Sequence, residues 1–283
     1  AAWELKGRFP DILDDPTVGL EAQRLYDDAR QMLDRIVTKG LLTAQATFGI
    51  WPANTVDTDE IVVFGDESRT TTLGTFRQLR QQMEKPPGRP NVSLADFLTP
   101  RDRDTIDYVG AFAVTAGVGT DELASSYEAA HDDYSAIMVK ALADRLAEAF
   151  AERLHQRVRT EFWGYADGES VSNTQLIREQ YRGIRPAPGY PACPDHSQKF
   201  ALFDLLRVAD RIAMTLTESG AMLPAASVCG WYFAHPDAYF FGLGNIGRDQ
   251  VAAYASSKNI DITDAERWLR PNLAYDPDAG DTD

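Results

Sequence analysis

The chain has 283 residues, 44% hydrophobic and 25% charged, a balance ordinary for a folded globular protein with room for a sizeable core. Its 43 acidic against 28 basic residues give a net charge of −15, which argues against a nucleic-acid or anionic-membrane surface. The apolar runs are far shorter than the roughly 18 residues of a membrane span, no apolar stretch after Ala1-Ala2-Trp3-Glu4-Leu5-Lys6 marks a secretory signal, and two cysteines form no disulfide framework, so a reduced, cytoplasmic setting is expected.

In chain order, Asp14-Asp15-Pro16 reads as a helix start, Leu25, Ala29, Met32, Leu33 and Ile36 recur at helical spacing, and Gly40 ends the pattern. Residues 43–51 and 60–65 read as strands around a turn-like Pro52-Ala53-Asn54. Residues 73–83 show helical spacing, Pro86-Pro87-Gly88-Arg89-Pro90 is a hard break, and 108–116 is a short apolar run that fits a buried strand. A long helix is expected over about 131–162, with Met138, Leu142, Leu146, Ala149 and Leu154 as core candidates. Beside that face, Asp144, Glu148 and His155 share one angular stripe, which is either a solvated edge or part of a site.

Further helices are expected over 174–181, 195–208, 249–257 and 263–269, with β-rich segments at 226–233 and 239–243 separated by Ala234-His235-Pro236-Asp237. Strands and helices do not alternate strictly, so the expected fold is α+β: one mixed domain with a twisted, mainly antiparallel sheet flanked by helices. That domain is placed at 1–275, followed by an acidic tail, 276–283, expected to be disordered.

Between two of these helices lies the most unusual segment, residues 183–196, with four prolines, two glycines and Arg185, Tyr190, Cys193 and His196. Proline fixes φ and removes donors, so the segment is a pre-ordered extended loop: either a stiff connector or a clamp for a small ligand. Arg185 offers a planar fork for a carboxylate or phosphate, and Tyr190 a π-face and a hydroxyl. The carbonyls of Pro186, Ala187 and Pro188 are expected to be free to read an amine or a base edge. Cys193 and His196 could share a metal only if two distant residues completed the set. The chain has no phosphate loop, dinucleotide fingerprint or nucleophile elbow, and its histidines are scattered.

The run from Arg185 to His196 resembles the Arg-x-x-x-Gly-Tyr signature of the S-adenosylmethionine-binding reactivation domain of cobalamin-dependent methionine synthase. The resemblance spans nearly the whole chain: Trp3 to Gly7, His131 to Tyr134, Met138 to Phe150, Leu216 to Ser219 and Trp231 to Phe233 all take part. It implies a domain of a methyltransferase (5-methyltetrahydrofolate–homocysteine S-methyltransferase) that is inactive alone. Its function would be to bind S-adenosylmethionine and supply the methyl group that restores oxidised cobalamin, with an electron from flavodoxin or a similar reductase. Cobalamin would be carried by another domain of the same enzyme, which becomes a partner together with the electron donor.

On the same resemblance, Arg185 holds the ligand carboxylate, backbone groups near Ala187 meet the adenine or amino group, Gly189 gives room, and Tyr190 lies beside the sulfonium. Phe240 and Phe241 occupy the place of a ligand-contacting aromatic pair, Phe240 standing where the family often has tyrosine. Glu148 and Glu179 are the candidate carboxylates near the sulfonium or amine, and Asp144 a contact for the cobalamin-bearing domain. An acidic contact that precedes Trp3 in the family is expected to be truncated or replaced where the sequence reads Ala1-Ala2, and this with Phe240 leaves a second reading, a docking and switching module that has lost its ligand.

Overall fold

A computed structural model describes residues 5–278; residues 1–4 and 279–283, which include the opening Trp3-Glu4 and the end of the acidic tail, lie outside the described residues. Helix α1 (Gly19–Lys39) follows Asp15, whose carboxylate accepts from the backbone amides of Thr17 and Val18 at 2.8 and 3.0 Å, and it closes at Gly40 in the left-handed region with φ 59°. Strands β1 (Thr43–Val56), β2 (Glu60–Phe64), β3 (Thr72–Arg77) and β4 (Asp107–Val118) come next. Helices α2 (Thr120–Ala129), α3 (Asp133–Arg157), α4 (Asn173–Ile177), α5 (Gln198–Leu206) and α6 (Val208–Arg211) follow. The hairpin β5 (Thr215–Leu216) and β6 (Met222–Leu223), strand β7 (Ser227–Tyr232), and helices α7 (Arg248–Lys258) and α8 (Ile262–Leu269) complete the order.

Five strands form one antiparallel sheet in the order β3-β2-β1-β4-β7. Both of its faces are covered, which is why β4 reads as an unbroken apolar run rather than an alternation. Val109, Ala111 and Ala113 of β4 join Cys229, Trp231 and Phe233 under Leu202 and Leu206 of α5. On the opposite face, Phe112, Val114, Val228 and Tyr232 lie under Ala143, Ala147, Ala151 and Leu154 of α3. A third cluster packs α7 and α8 against Leu79, Leu243 and Ile246.

Several expectations are corrected. Residues 73–83 are not helical: 72–77 form β3, paired antiparallel to β2 with Ile61 opposite Phe76. Apolar residues at 73, 76, 79 and 83 imitate helical spacing, but Leu73 and Met83 are exposed, and pairing to β2 decides the conformation. Pro52-Ala53-Asn54 is no turn either. β1 runs straight through it, and Pro52 sits one residue short of the first β1–β2 pair, Ala53 opposite Val63, where β1 has only β4 beside it.

The long helix starts later than expected. His131 takes a left-handed φ of 59° after α2, and the Asp132 side chain caps α3 by accepting from Ser135 N at 3.0 Å. At its far end α3 passes into a π-helical turn over Val158–Phe162. Of the expected core residues, Met138 and Leu154 are buried, Leu142 and Leu146 half-buried, and Ala149 exposed. The buried ridge consists of small residues four apart, Ala143, Ala147 and Ala151, because the helix backbone lies close to the sheet.

The helix expected over 174–181 is only α4, closed by Glu179 in a left-handed conformation, and that over 195–208 is interrupted at left-handed Arg207. Residues 239–243 form no strand; they run as irregular chain tied to the proline loop by Leu243 N donating to Pro191 O at 2.8 Å. Within the expected tail, Asp278 pairs with Arg270.

Candidate functional site

The proline loop is laid along the sheet's β7 edge. Ile184 and Phe233 exchange two backbone hydrogen bonds of 3.0 Å, and Trp231 N donates to Pro186 O at 2.9 Å. Pro186 accepts from Trp231 but has no N–H to return the bond, so this pairing carries one hydrogen bond where Ile184 and Phe233 carry two. Gly230 makes this approach possible, since a Cβ there would stand 2.4 Å from Pro186 O and 3.2 Å from Ala187 Cα.

Beyond Ala187 the loop folds into a knot of turns. Tyr190 N donates to Ala187 O at 3.1 Å, Gly189 N to Cys193 O at 2.7 Å, and Cys193 N to Tyr190 O at 2.9 Å. The carbonyls of Pro186 and Ala187, expected to be free, are therefore already engaged. Gly189 gives no room to a ligand. Its φ of 98° and a hypothetical Cβ only 2.2 Å from the His196 ring show that glycine is needed for the turn and the imidazole behind it.

The loop's distal end is anchored rather than reactive. Buried Asp195 accepts from Ser197 N at 2.7 Å, Ser197 Oγ at 2.8 Å, Lys258 Nζ of α7 at 2.7 Å and the Tyr254 hydroxyl. Burial pushes its carboxyl upward, but Lys258 and these hydrogen bonds outweigh it and hold the group below the usual carboxylate range. His196 Nδ1 lies 2.9 Å from Lys199 Nζ, which also donates to Gly220 O at 2.9 Å. Cys193 is enclosed in the core and burial drives its thiol far up, so it is inert. Among the described residues no group of three or more His, Cys, Asp or Glu side chains is arranged to hold a metal.

Between this loop and α3 opens a cavity of about 580 Å³. Arg185, Ala187 and Tyr190 form its loop wall, Glu148 of α3 and Glu179 beyond α4 supply carboxylates, and Phe240 and Phe241 an aromatic wall. Gly189 is not on the wall, and exposed Asp144 lies one turn before Glu148, also outside it. The Tyr190 hydroxyl donates to Glu148 Oε1 at 3.4 Å, and burial followed by that carboxylate raises the phenol's pKa.

Arg185 donates through Nη2 to Glu152 Oε2 at 3.0 Å, and the Tyr181 hydroxyl reaches the same oxygen at 3.4 Å. Burial alone would lower the Arg185 pKa, but Glu152 more than compensates and keeps the guanidinium charged. Glu152 was not among the residues singled out from the sequence. The signal was present, because it lies four residues after Glu148 on the stripe that also carries Asp144 and His155.

His155, the last member of that stripe, belongs to the core. It is 0% exposed, stacks on Tyr232 with ring centroids 5.1 Å apart, and sets Nε2 3.2 Å from the Tyr165 hydroxyl. Burial, then the charges of Arg159 and Arg185, hold its pKa well below the ordinary histidine value. The cavity thus offers one cation, two carboxylates and an aromatic wall, with no buried base aimed into it. Such a set has the chemistry to hold a zwitterionic ligand bearing an aromatic base.

Residues 1–259 match the family of vitamin B12-dependent methionine synthase activation domains. A crystal structure of the MetH reactivation domain bound to AdoHcy is 54% identical to this chain with a TM-score of 0.93, the match covering 97% of this chain and 84% of that one.

Proposed function

The chain belongs to the activation-domain family of the vitamin B12-dependent methionine synthases, and from that premise we propose that the cavity beside the proline loop binds S-adenosylmethionine for reactivation of the enzyme. One observation carries the reading: Arg185, Glu148, Glu179, Tyr190 and the Phe240–Phe241 pair, far apart in sequence, converge on one cavity of about 580 Å³. When bound, S-adenosylmethionine supplies an electrophilic methyl group on its sulfonium. Arg185 grips the ligand carboxylate as a charge-assisted pair. Glu148 and Glu179 face its ammonium and sulfonium, Tyr190 lies along the sulfonium, and Phe240 and Phe241 cover the base. The backbone at Ala187 flanks the base or amine through its amide side, its carbonyl being engaged with Tyr190. The domain contributes position and exclusion of water rather than acid–base chemistry.

The same reading places the cobalamin-binding domain of the full enzyme against the exposed side of α3 at Asp144 and takes the electron from a flavodoxin-type donor. The parent activity is then that of a 5-methyltetrahydrofolate–homocysteine S-methyltransferase, in which this chain alone does not turn over. A cytoplasmic setting is supported by two buried free thiols, Cys193 and Cys229. We place the domain at 1–275 with the acidic tail behind it.

Calorimetric titration with S-adenosylhomocysteine (AdoHcy) tests the ligand assignment. Arg185→Ala is expected to weaken binding by about 1.5–3 kcal/mol, the value of a hydrogen bond to a charged group, with the fold intact by circular dichroism. Asp144→Asn leaves AdoHcy affinity unchanged and weakens docking of a cobalamin-domain fragment. Absence of binding heat in the unaltered chain would instead support the docking-module reading, and unchanged affinity in Arg185→Ala would remove Arg185 from the site.

A further inference from the structure

Behind Arg185 runs a ladder of alternating charge. Glu169 grips Arg159 with both oxygens, at 2.9 Å from Nε and 2.8 Å from Nη2. Arg159, 0% exposed, lies over the Tyr181 ring at 3.9 Å and sets Nη1 3.8 Å from Glu152 Oε1. Glu152 in turn holds Arg185, a lining residue of the cavity. The four charges cancel, so the ladder adds no net charge beneath the site. Three of its groups nevertheless keep buried polar atoms without a hydrogen-bond partner: Glu152 Oε1, Arg159 Nη1 and Arg185 Nε. A buried polar atom left unpaired is a cost to the fold, so the ladder is held in a geometry that its own hydrogen bonds do not fully satisfy.

We propose that Glu152 is the positioning residue of the carboxylate clamp, holding Arg185 by Nη2 alone beside the cavity it lines, so that the remaining guanidinium donors are left for a ligand carboxylate. The proposal rests on the reading in which Arg185 binds that carboxylate. Three features support it. Glu152 sits on α3, a helix seated on the sheet through its alanine ridge, so its position is set by rigid structure rather than by a loop. Arg159 stands behind it and balances its charge, which keeps Glu152 from competing at full strength with the ligand for Arg185. The Tyr181 hydroxyl bonds the same oxygen that Arg185 uses, which fixes the carboxylate's rotation. Without Glu152, Arg185 would be drawn to Glu148, an attractive charge it already feels on the opposite wall.

The test compares two probes in one titration: AdoHcy, which carries an amino-acid carboxylate, and 5′-methylthioadenosine, which lacks it. Glu152→Asp keeps the charge but withdraws the acceptor by about one methylene; it is expected to weaken AdoHcy roughly tenfold and leave 5′-methylthioadenosine within about twofold. Glu152→Gln keeps the acceptor in place and is expected to bind AdoHcy within about threefold of the unaltered chain, a rescue that a role in charge balance alone would not give. Tyr181→Phe, which removes one oxygen, shows the same selectivity at about two- to threefold and carries the test if Glu152→Asp does not fold. Equal weakening of both probes, or AdoHcy affinity unchanged in Glu152→Asp and Tyr181→Phe, overturns the positioning role. Arg185→Ala separates the two levels. Selective loss of AdoHcy there with none in Glu152→Asp removes only Glu152, whereas no loss in Arg185→Ala removes the carboxylate reading itself.

Discussion

His155 shows how a residue beside a site differs from a residue of it. It shares the polar stripe of Glu148 and Glu152, but one turn further along α3 the stripe passes under Tyr232 and Tyr165, and the ring is enclosed. Because its folded pKa is depressed by burial, the neutral form belongs to the fold and the unfolded chain binds the proton more readily. Its contribution to stability is therefore complete above the unfolded value of about 6.5 and is lost as pH falls below it. Thermal melts at pH 7.5 and 5.5 should show a drop in melting temperature that is smaller in His155→Gln, and an equal drop would mean that the ring is protonated within the fold. The residue types of the clamp were legible in the sequence, because arginine, tyrosine and glutamate announce their chemistry. Gly189 and Glu152 were misjudged or missed, since the nearest neighbour of each, His196 and Arg185, is supplied by the folded loop and by the helix–loop contact.

At the scale of elements, the site is the meeting of the proline loop on its strand edge with helix α3, completed by Glu179 beyond α4 and the irregular 239–243 segment. Gly230 is the point of closest approach, and its missing side chain admits Pro186 and Ala187 onto β7. Gly230→Ala places a methyl against a backbone oxygen that cannot rotate away, and it is expected to cost about 1–3 kcal/mol and to weaken AdoHcy binding as the loop is displaced. Urea denaturation and AdoHcy titration check this; a variant as stable and as tightly binding as the unaltered chain would show that the loop can shift without consequence. The strands at β2, β4 and β7 were readable from their apolar runs because burial on both faces leaves a compositional trace. β3 was not, because its spacing fits a helix equally well and only its pairing with β2 distinguishes the two. Pro52 likewise imitates a turn signal until the register shows β1 unpaired on one side just there.

Across the whole molecule, the cavity depends on parts that never touch it. Helix α7 reaches the loop through Lys258 and Tyr254, which hold the carboxylate of Asp195 with its side chain 0% exposed. Lys258→Met would leave that carboxylate short of its counter-charge and is expected to destabilise the fold by about 3 kcal/mol. Urea unfolding at neutral pH measures it, and a change below about 0.5 kcal/mol would mean that Tyr254 and Ser197 suffice. The amino-acid order alone determined the acidic, globular α+β character, a helix between Pro16 and Gly40, a long helix within about 131–162, the rigid proline loop and the family resemblance, because these depend on local dihedral preference, apolar periodicity and composition. Only the tertiary structure decided that Glu148, Glu179, Arg185, Tyr190 and Phe240 share one cavity, that Glu152 stands behind Arg185, and that Cys193 and His196 serve the loop's packing. The contacts that join the loop to α3 and to Phe240 link residues from about 30 to more than 90 positions apart in the chain, and such distances are set by how these segments pack together.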